Sequence, residues 1–156
     1  MKIFITNPPS DEIAKKLSDL YEIALKILQK KCSNYFEKLS DSNTLQLYFI
    51  SDSEIQELNK SYRQKDAPTD VLSWGYINEY LMANEGAGEI YISVDTAIKK
   101  AAIKNVSTLD EYMFLFVHGL LHVFDYDHNN DQEEDAMNQV TADILTEFGV
   151  DVAPHI

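Results

Sequence analysis

Between residues 11 and 32 the apolar positions Ile13, Leu17, Leu20, Tyr21, Ala24, Ile27 and Leu28 recur at the spacing of one buried helix face. Ser10 stands just ahead of them as a helix cap. Strict alternation replaces this period at Lys2 to Thr6 and at Leu45 to Ile50, where half-buried strands are expected. Helical spacing returns from Asp52 to Tyr62, capped by Ser51 or Asp52. Two strand-like runs follow, near Val71 to Tyr76 and Glu89 to Ser93, separated by an acidic, Gly-containing loop that should face solvent. Three helical stretches complete the chain. They are Val94 to Asn105, Leu109 to Phe124 opened by Thr108-Leu-Asp-Glu111 as a capping box, and Asp131 to Phe148 stopped by Gly149. The fold class expected is α+β, a small mixed sheet of about four strands packed with about five helices.

Composition narrows the setting. A chain of 156 residues without a Gly-, Ser- or Pro-rich linker or an internal repeat reads as a single domain over 1–156. The start, Met-Lys-Ile-Phe-Ile-Thr, reads as a strand rather than a signal peptide, and no apolar run approaches the roughly 20 residues of a membrane span. The one cysteine, Cys32, cannot form an internal disulfide and is expected to pack near a helix end, which fits a reducing cytoplasm. Acidic residues number 26 against 13 basic ones, giving a formal net charge of −13. Long-range attraction of a polyanion should therefore be poor. Part of the acid has local work, since Asp131, Glu133, Glu134 and Asp135 crowd the first turn of the last helix, where they complement its dipole. Lys60, Arg63 and Lys65, with Lys99, Lys100 and Lys104, remain as a candidate positive patch.

The sharpest chemical signal is the run His118-Gly-Leu-Leu-His122-Val-Phe-Asp-Tyr-Asp-His128, which holds three of the four histidines. Residues four apart share a helix face, so His118 and His122 can offer two imidazole nitrogens to one ion. His128 must return from beyond the helix end, through a turn at Asp125 to Asp127. Two histidines so spaced also occur as ordinary core residues; the third tips the reading to a metal site placed after the penultimate helix. Three protein ligands leave an open position, as in catalytic zinc sites. Zn²⁺ is the expected ion, one per chain, although imidazoles also suit nickel or another first-row metal. The fourth histidine, His155, lies in a terminal Pro-His-Ile where a frayed end is the default.

The same histidine spacing occurs in metzincin peptidases, which carry a glutamate general base directly after the first histidine. Here that position is Gly119, so a peptidase would lack its base. A glycine there also suggests that something large approaches the helix backbone. Arg63 is the only arginine among the basic residues. Its planar fork matches phosphate, yet from composition alone an ordinary surface ion pair with Asp66 or Asp70 is the favoured explanation. Tyr48, Trp74 and Tyr91 fall on strands, where core packing is favoured over base stacking.

These residues resemble the YbeY-type endoribonucleases of bacterial ribosomal RNA maturation. The family pattern His-Gly-x-Leu-His-Leu-x-Gly-Tyr-Asp-His is matched at His118, Gly119, Leu121, His122, Tyr126, Asp127 and His128, with Val123 for Leu and Asp125 for Gly. A second block, Leu58 to Trp74, is similar to Leu-Asn-x-x-Tyr-Arg-x-Lys-Asp-x-Pro-Thr-Asp-Val-Leu-Ser-Phe, with Trp74 for Phe. A third, Gly88-Glu89-Ile90, has Glu for Asp. The resemblance spans residues 58 to 128. It implies a metal-dependent endoribonuclease preferring single strands, acting in maturation and quality control of small-subunit ribosomal RNA in the cytoplasm. His118, His122 and His128 would be the metal ligands, His118 and Arg63 the catalytic residues, and Lys60 and Lys65 substrate contacts. Asp127 would orient a ligand, with Glu89 a weaker candidate. Expected partners are single-stranded or ribosomal RNA, the small ribosomal subunit and its assembly factors, with no membrane and no DNA. Asp125 falls where a positive φ is expected, which Asp tolerates less well than Gly. Two rival readings are a zincin-like metallopeptidase and a non-catalytic, metal-stabilised ribosome assembly factor.

Overall fold

In the computed structural model, which describes residues 1–79 and 81–156, four strands form one sheet in the order β1-β2-β4-β3. These are β1 (Lys2–Thr6), β2 (Thr44–Ile50), β3 (Val71–Gly75) and β4 (Gly86–Ser93). β1, β2 and β4 run parallel, and β3 pairs antiparallel with β4 as an edge strand. The helices are α1 (Asp11–Lys31), α2 (Ser33–Phe36), α3 (Asp52–Arg63), α4 (Val94–Lys104), α5 (Thr108–Val123) and α6 (Asp131–Phe148). The α+β class and mixed sheet are as the residue pattern implies. Short α2 is an addition, since a single turn carries too few residues for a period to show.

Alternation fixes the two faces of the sheet. Leu45, Leu47 and Phe49 point to the same side as Ile90 and Ile92, and all five are buried under α1 and α5. α5 is buried nearly all round, from Tyr112 to Val123, and so forms the centre of the molecule rather than its surface. α3 lies over the other face, where Tyr62 meets Trp74 of β3 edge-on at 5.6 Å between ring centroids. No helix among the described residues is long and apolar enough to cross a membrane.

Two glycines set how closely α5 approaches the sheet. Gly75 and Gly88 are cross-strand partners, and a Cβ on either would stand 2.7 Å from Val123, against its carbonyl oxygen in one case and its Cγ1 in the other. Gly119 is seated likewise, since an added Cβ would lie 2.8 Å from Cγ2 of buried Ile90. The large group that Gly119 accommodates is thus the sheet itself.

Helix caps agree with the sequence at Ser10 and Ser51, where a full capping box with Glu54 forms, and at Gly149, whose φ is 91°. One expectation fails. Ser107, not Thr108, caps α5 by accepting from Asp110 N–H, and Glu111 is instead fully buried, 2.9 Å from Lys104 Nζ. Facing inward, Glu111 cannot reach back to the cap. β4 also starts three residues earlier than its apolar run, at Gly86, because Gly86-Ala-Gly88 pairs by backbone without bulky side chains to signal it.

Candidate active site

Helix geometry brings His118 and His122 onto one face of α5, with their Nε2 atoms 3.1 Å apart. Beyond Phe124 the chain turns through Asp125, whose φ of 65° is left-handed, as the turn requires. Tyr35 Oη donates to its carboxylate at 2.9 Å and Asn78 Nδ2 donates to the same oxygen, so two long-range partners hold a residue that would otherwise strain the turn. The return carries His128 back to the other two, and one nitrogen from each ring lies within 4.8 Å of the others. Tetrahedral zinc at its usual Zn–N lengths needs nitrogens about 3.3 Å apart. Small side-chain rotations of the exposed His128 therefore complete the set, and the donor chemistry fits one divalent ion.

Burial, and then the rings of His122 and His128, push the His118 pKa down to about 4. His122 is lowered too, first by burial and then by His128. Both are thus neutral near pH 7, the protonation state that a metal requires. Asp127 accepts from the backbone N–H of its neighbour His128 at 2.8 Å and from Asn129 Nδ2 at 3.0 Å. The first of these bonds is the main reason its carboxyl stays below the usual range. Asp127 therefore restrains the backbone of His128 and bonds to no imidazole ring.

The histidines open onto a cavity of about 460 Å³ that runs beneath the free edge of β3. Arg63, the last residue of α3, lines it from the far side. Its Nη2 donates to the Ser73 carbonyl at 3.1 Å, and its guanidinium carbon lies 5.4 Å from the Trp74 ring centroid. The expected alternative, an ion pair with Asp66 or Asp70, does not form, because Asp66 accepts from Gln56 and Asp70 binds Lys100. Lys65 also lines the cavity, whereas Lys60 does not. The wider positive patch does not exist in free form. Lys99, Lys100 and Lys104 face Asp52, Asp70 and Glu111 at 3.7, 2.5 and 2.9 Å. Glu89 lies on the opposite face of the sheet, bonded to the Tyr76 and Tyr91 hydroxyls, away from the histidines.

Sequence reading missed several residues. Asn59, Thr69, Asp70 and Ser73 all line the cavity. Asn59 had a visible signal, a polar residue one helical turn after Ile55 on the buried face of α3; its Nδ2 ties down the Ala67 carbonyl at 2.9 Å. His155, expected in a frayed end, is packed instead. Its side chain is fully buried, stacked on Phe114 at 4.7 Å, with Nδ1 3.4 Å from Glu111 and 3.3 Å from Lys104. Phe114 in turn lies 6.0 Å from the His118 ring, so the chain end backs the histidine cluster rather than fraying. Tyr48, Trp74 and Tyr91 are also not core residues. They are half-buried on the α3 side of the sheet, with Tyr48 and Tyr91 stacked at 4.8 Å.

A family model described as endoribonuclease YbeY matches residues 5–149. An endoribonuclease YbeY of Halalkalibacterium halodurans is 37% identical over 145 residues, covering 86% of this chain and 90% of the relative. Another, from Neorickettsia sennetsu, is 34% identical over 151 residues, covering 96% of this chain and 98% of the relative. A third, from Oceanobacillus iheyensis, is 41% identical over 123 residues, or 74% of this chain and 80% of the relative. The solution structure of a Thermotoga maritima protein matches with a TM-score of 0.58 at 26% identity, covering 94% of this chain and 91% of that one.

Proposed function

Because this chain belongs to the YbeY family and is an endoribonuclease, we propose that it cleaves single-stranded RNA at the cavity between His118, His122, His128 and Arg63, and does so with a bound divalent metal. The observation that carries this reading is the convergence of three imidazole nitrogens on a cavity whose opposite wall is the sole arginine. Zn²⁺ is the ion proposed, held by His118, His122 and His128, with nickel or another first-row metal as the alternative. When bound, such an ion supplies Lewis acidity at a phosphate oxygen.

The protein's own groups do the rest. Arg63 presents two parallel N–H donors to the phosphoryl oxygens and stabilises the charge that grows on them in the transition state. Its bond to Ser73 and its contact with Trp74 hold the fork toward the cavity. Lys65 meets the same phosphate or its neighbour, and Lys60, one helical turn before Arg63, meets a more distant one. Asp127 keeps His128 in place through the backbone. The substrate proposed is small-subunit ribosomal RNA, in the cytoplasm, with the ribosome and its assembly factors supplying affinity that this acidic chain lacks. A peptidase reading is not favoured, since Gly119 stands where a base would follow His118, and the two carboxylates that line the cavity are both engaged, Asp70 with Lys100 and the Val71 N–H, Asp127 with Asn129 and the His128 N–H.

Stripping the protein with a chelator should abolish cutting of an end-labelled single-stranded RNA, and Zn²⁺ or Ni²⁺ should restore it. Full activity in the chelator would remove the metal from the mechanism.

A further inference from the structure

On the α3 side of the sheet, across the β3 edge from the histidines, lies a second cavity of about 230 Å³ lined by Leu58, Tyr62, Trp74, Tyr76, Glu89 and Tyr91. We propose that it is a base-recognition subsite, taking the guanine of a nucleotide next to the scissile phosphate; this rests on the endoribonuclease reading above. Its size is the first reason. Pockets for drug-sized ligands start at about 300 Å³, so this one suits a single ring system and not a whole nucleotide.

Its lining is the second. Tyr62, Trp74 and Tyr91 supply aromatic surface of the kind on which unpaired bases stack. Among the lining residues is one carboxylate, Glu89, with Oε1 accepting from Tyr76 Oη at 2.8 Å and Oε2 from Tyr91 Oη at 3.0 Å. Each oxygen keeps a further lone pair, so the carboxylate can still accept two parallel hydrogen bonds. Guanine is the base whose Watson–Crick edge offers two adjacent donors, N1–H and the N2 amino group. Adenine and cytosine place an acceptor beside their amino group, and uracil offers one donor between two acceptors, so each would set a lone pair against the carboxylate. The tyrosine hydroxyls hold Glu89 in one orientation, which makes the selection one of geometry rather than of charge alone.

Position is the third. Arg63 lines the histidine cavity, and its guanidinium rests on Trp74, which lines the second one. A phosphate held by Arg63 would leave its attached nucleoside free to pass over the β3 edge into the aromatic cavity. The carboxylate would then meet a base and stay clear of phosphate, which it would repel.

Trp74 is the only tryptophan, so its fluorescence reports on this cavity directly. Metal-free protein would be titrated with the 5′-monophosphates of guanosine, adenosine, cytidine and uridine, with correction for nucleotide absorbance against free tryptophan. Guanosine monophosphate should saturate the signal at a concentration at least about fivefold below the others, the lower end for a two-bond base contact. Glu89→Gln should remove that advantage. Tyr62→Ala, which trims a ring that is 66% exposed and so leaves the core intact, should weaken all four nucleotides. Equal binding of the four, no saturable change, or a guanine preference that survives Glu89→Gln would each overturn the assignment. Neither metal nor cleavage enters the experiment, so its failure leaves the nuclease reading standing, and failure of the nuclease reading leaves guanine binding measurable.

Discussion

His118 shows how far one residue's surroundings alter its chemistry. Its pKa of about 4 in the folded protein lies below the 6.5 of an unperturbed histidine, because burial and two neighbouring imidazoles disfavour the cation. Above pH 6.5 the ring is neutral whether the chain is folded or not, and contributes no pH dependence. Between 6.5 and about 4 the unfolded chain takes up a proton that the folded one refuses, so stability falls as pH falls. His122 and His155 are lowered in the same direction, burial being the first cause in each. The urea midpoint of metal-free protein should therefore drop between about pH 7 and pH 5, and drop less in His118→Gln; a flat profile would show that the cluster is not desolvated. At this scale the clustering of His118, His122 and His128 was legible, because residue type and spacing are written in the chain. Thr69, Asp70 and Ser73 were not, since cavity lining depends on which loop crosses which helix. His155 was hidden by its place near the end, and buried Glu111, Lys104 and the Phe114 ring explain why the tail docks there.

At the scale of elements, the candidate site depends on how α5 sits on the sheet. Its C-terminal end rests on the paired Gly75 and Gly88 without room for a methyl group, and the turn to His128 begins one residue later. Gly75→Ala sets a carbon against the Val123 backbone, which no rotamer change can relieve. Overpacking of this kind costs about 1–3 kcal/mol. Thermal denaturation of Gly75→Ala should show a loss in that range together with weaker metal binding, as the Asp125 turn shifts relative to α5. Unchanged metal affinity would mean that the turn is positioned by Tyr35 and Asn78 alone. Period and caps made most elements legible beforehand, including the capping box at Ser51 and the stop at Gly149. Glu111 was misread because local sequence offers the same residue to a cap and to a buried ion pair, and tertiary packing chose the pair.

For the whole molecule the decisive quantity is charge. With a formal net charge of −13 and the α4 lysines already paired, the cations left at the cavity are Arg63 and Lys65, with Lys60 one helical turn before Arg63. Single-stranded nucleic acid loses affinity with salt at a log–log slope of about −0.7 per phosphate contacted, so two or three contacts give a slope of about −1.4 to −2.1. Weak binding with that shallow slope is expected from fluorescence anisotropy of a labelled oligonucleotide; a tight complex, or a slope of roughly −5, would reveal a basic surface that the fold does not present. The most direct test of the site as the seat of catalysis compares wild type, Arg63→Ala and His118→Ala, purified identically, on one end-labelled single-stranded RNA with metal content measured alongside. The wild type should cut, Arg63→Ala should keep its metal and lose at least about tenfold in rate, and His118→Ala should lose both metal and cutting. Equal cutting by all three preparations would contradict the assignment and place the nuclease activity outside this cavity.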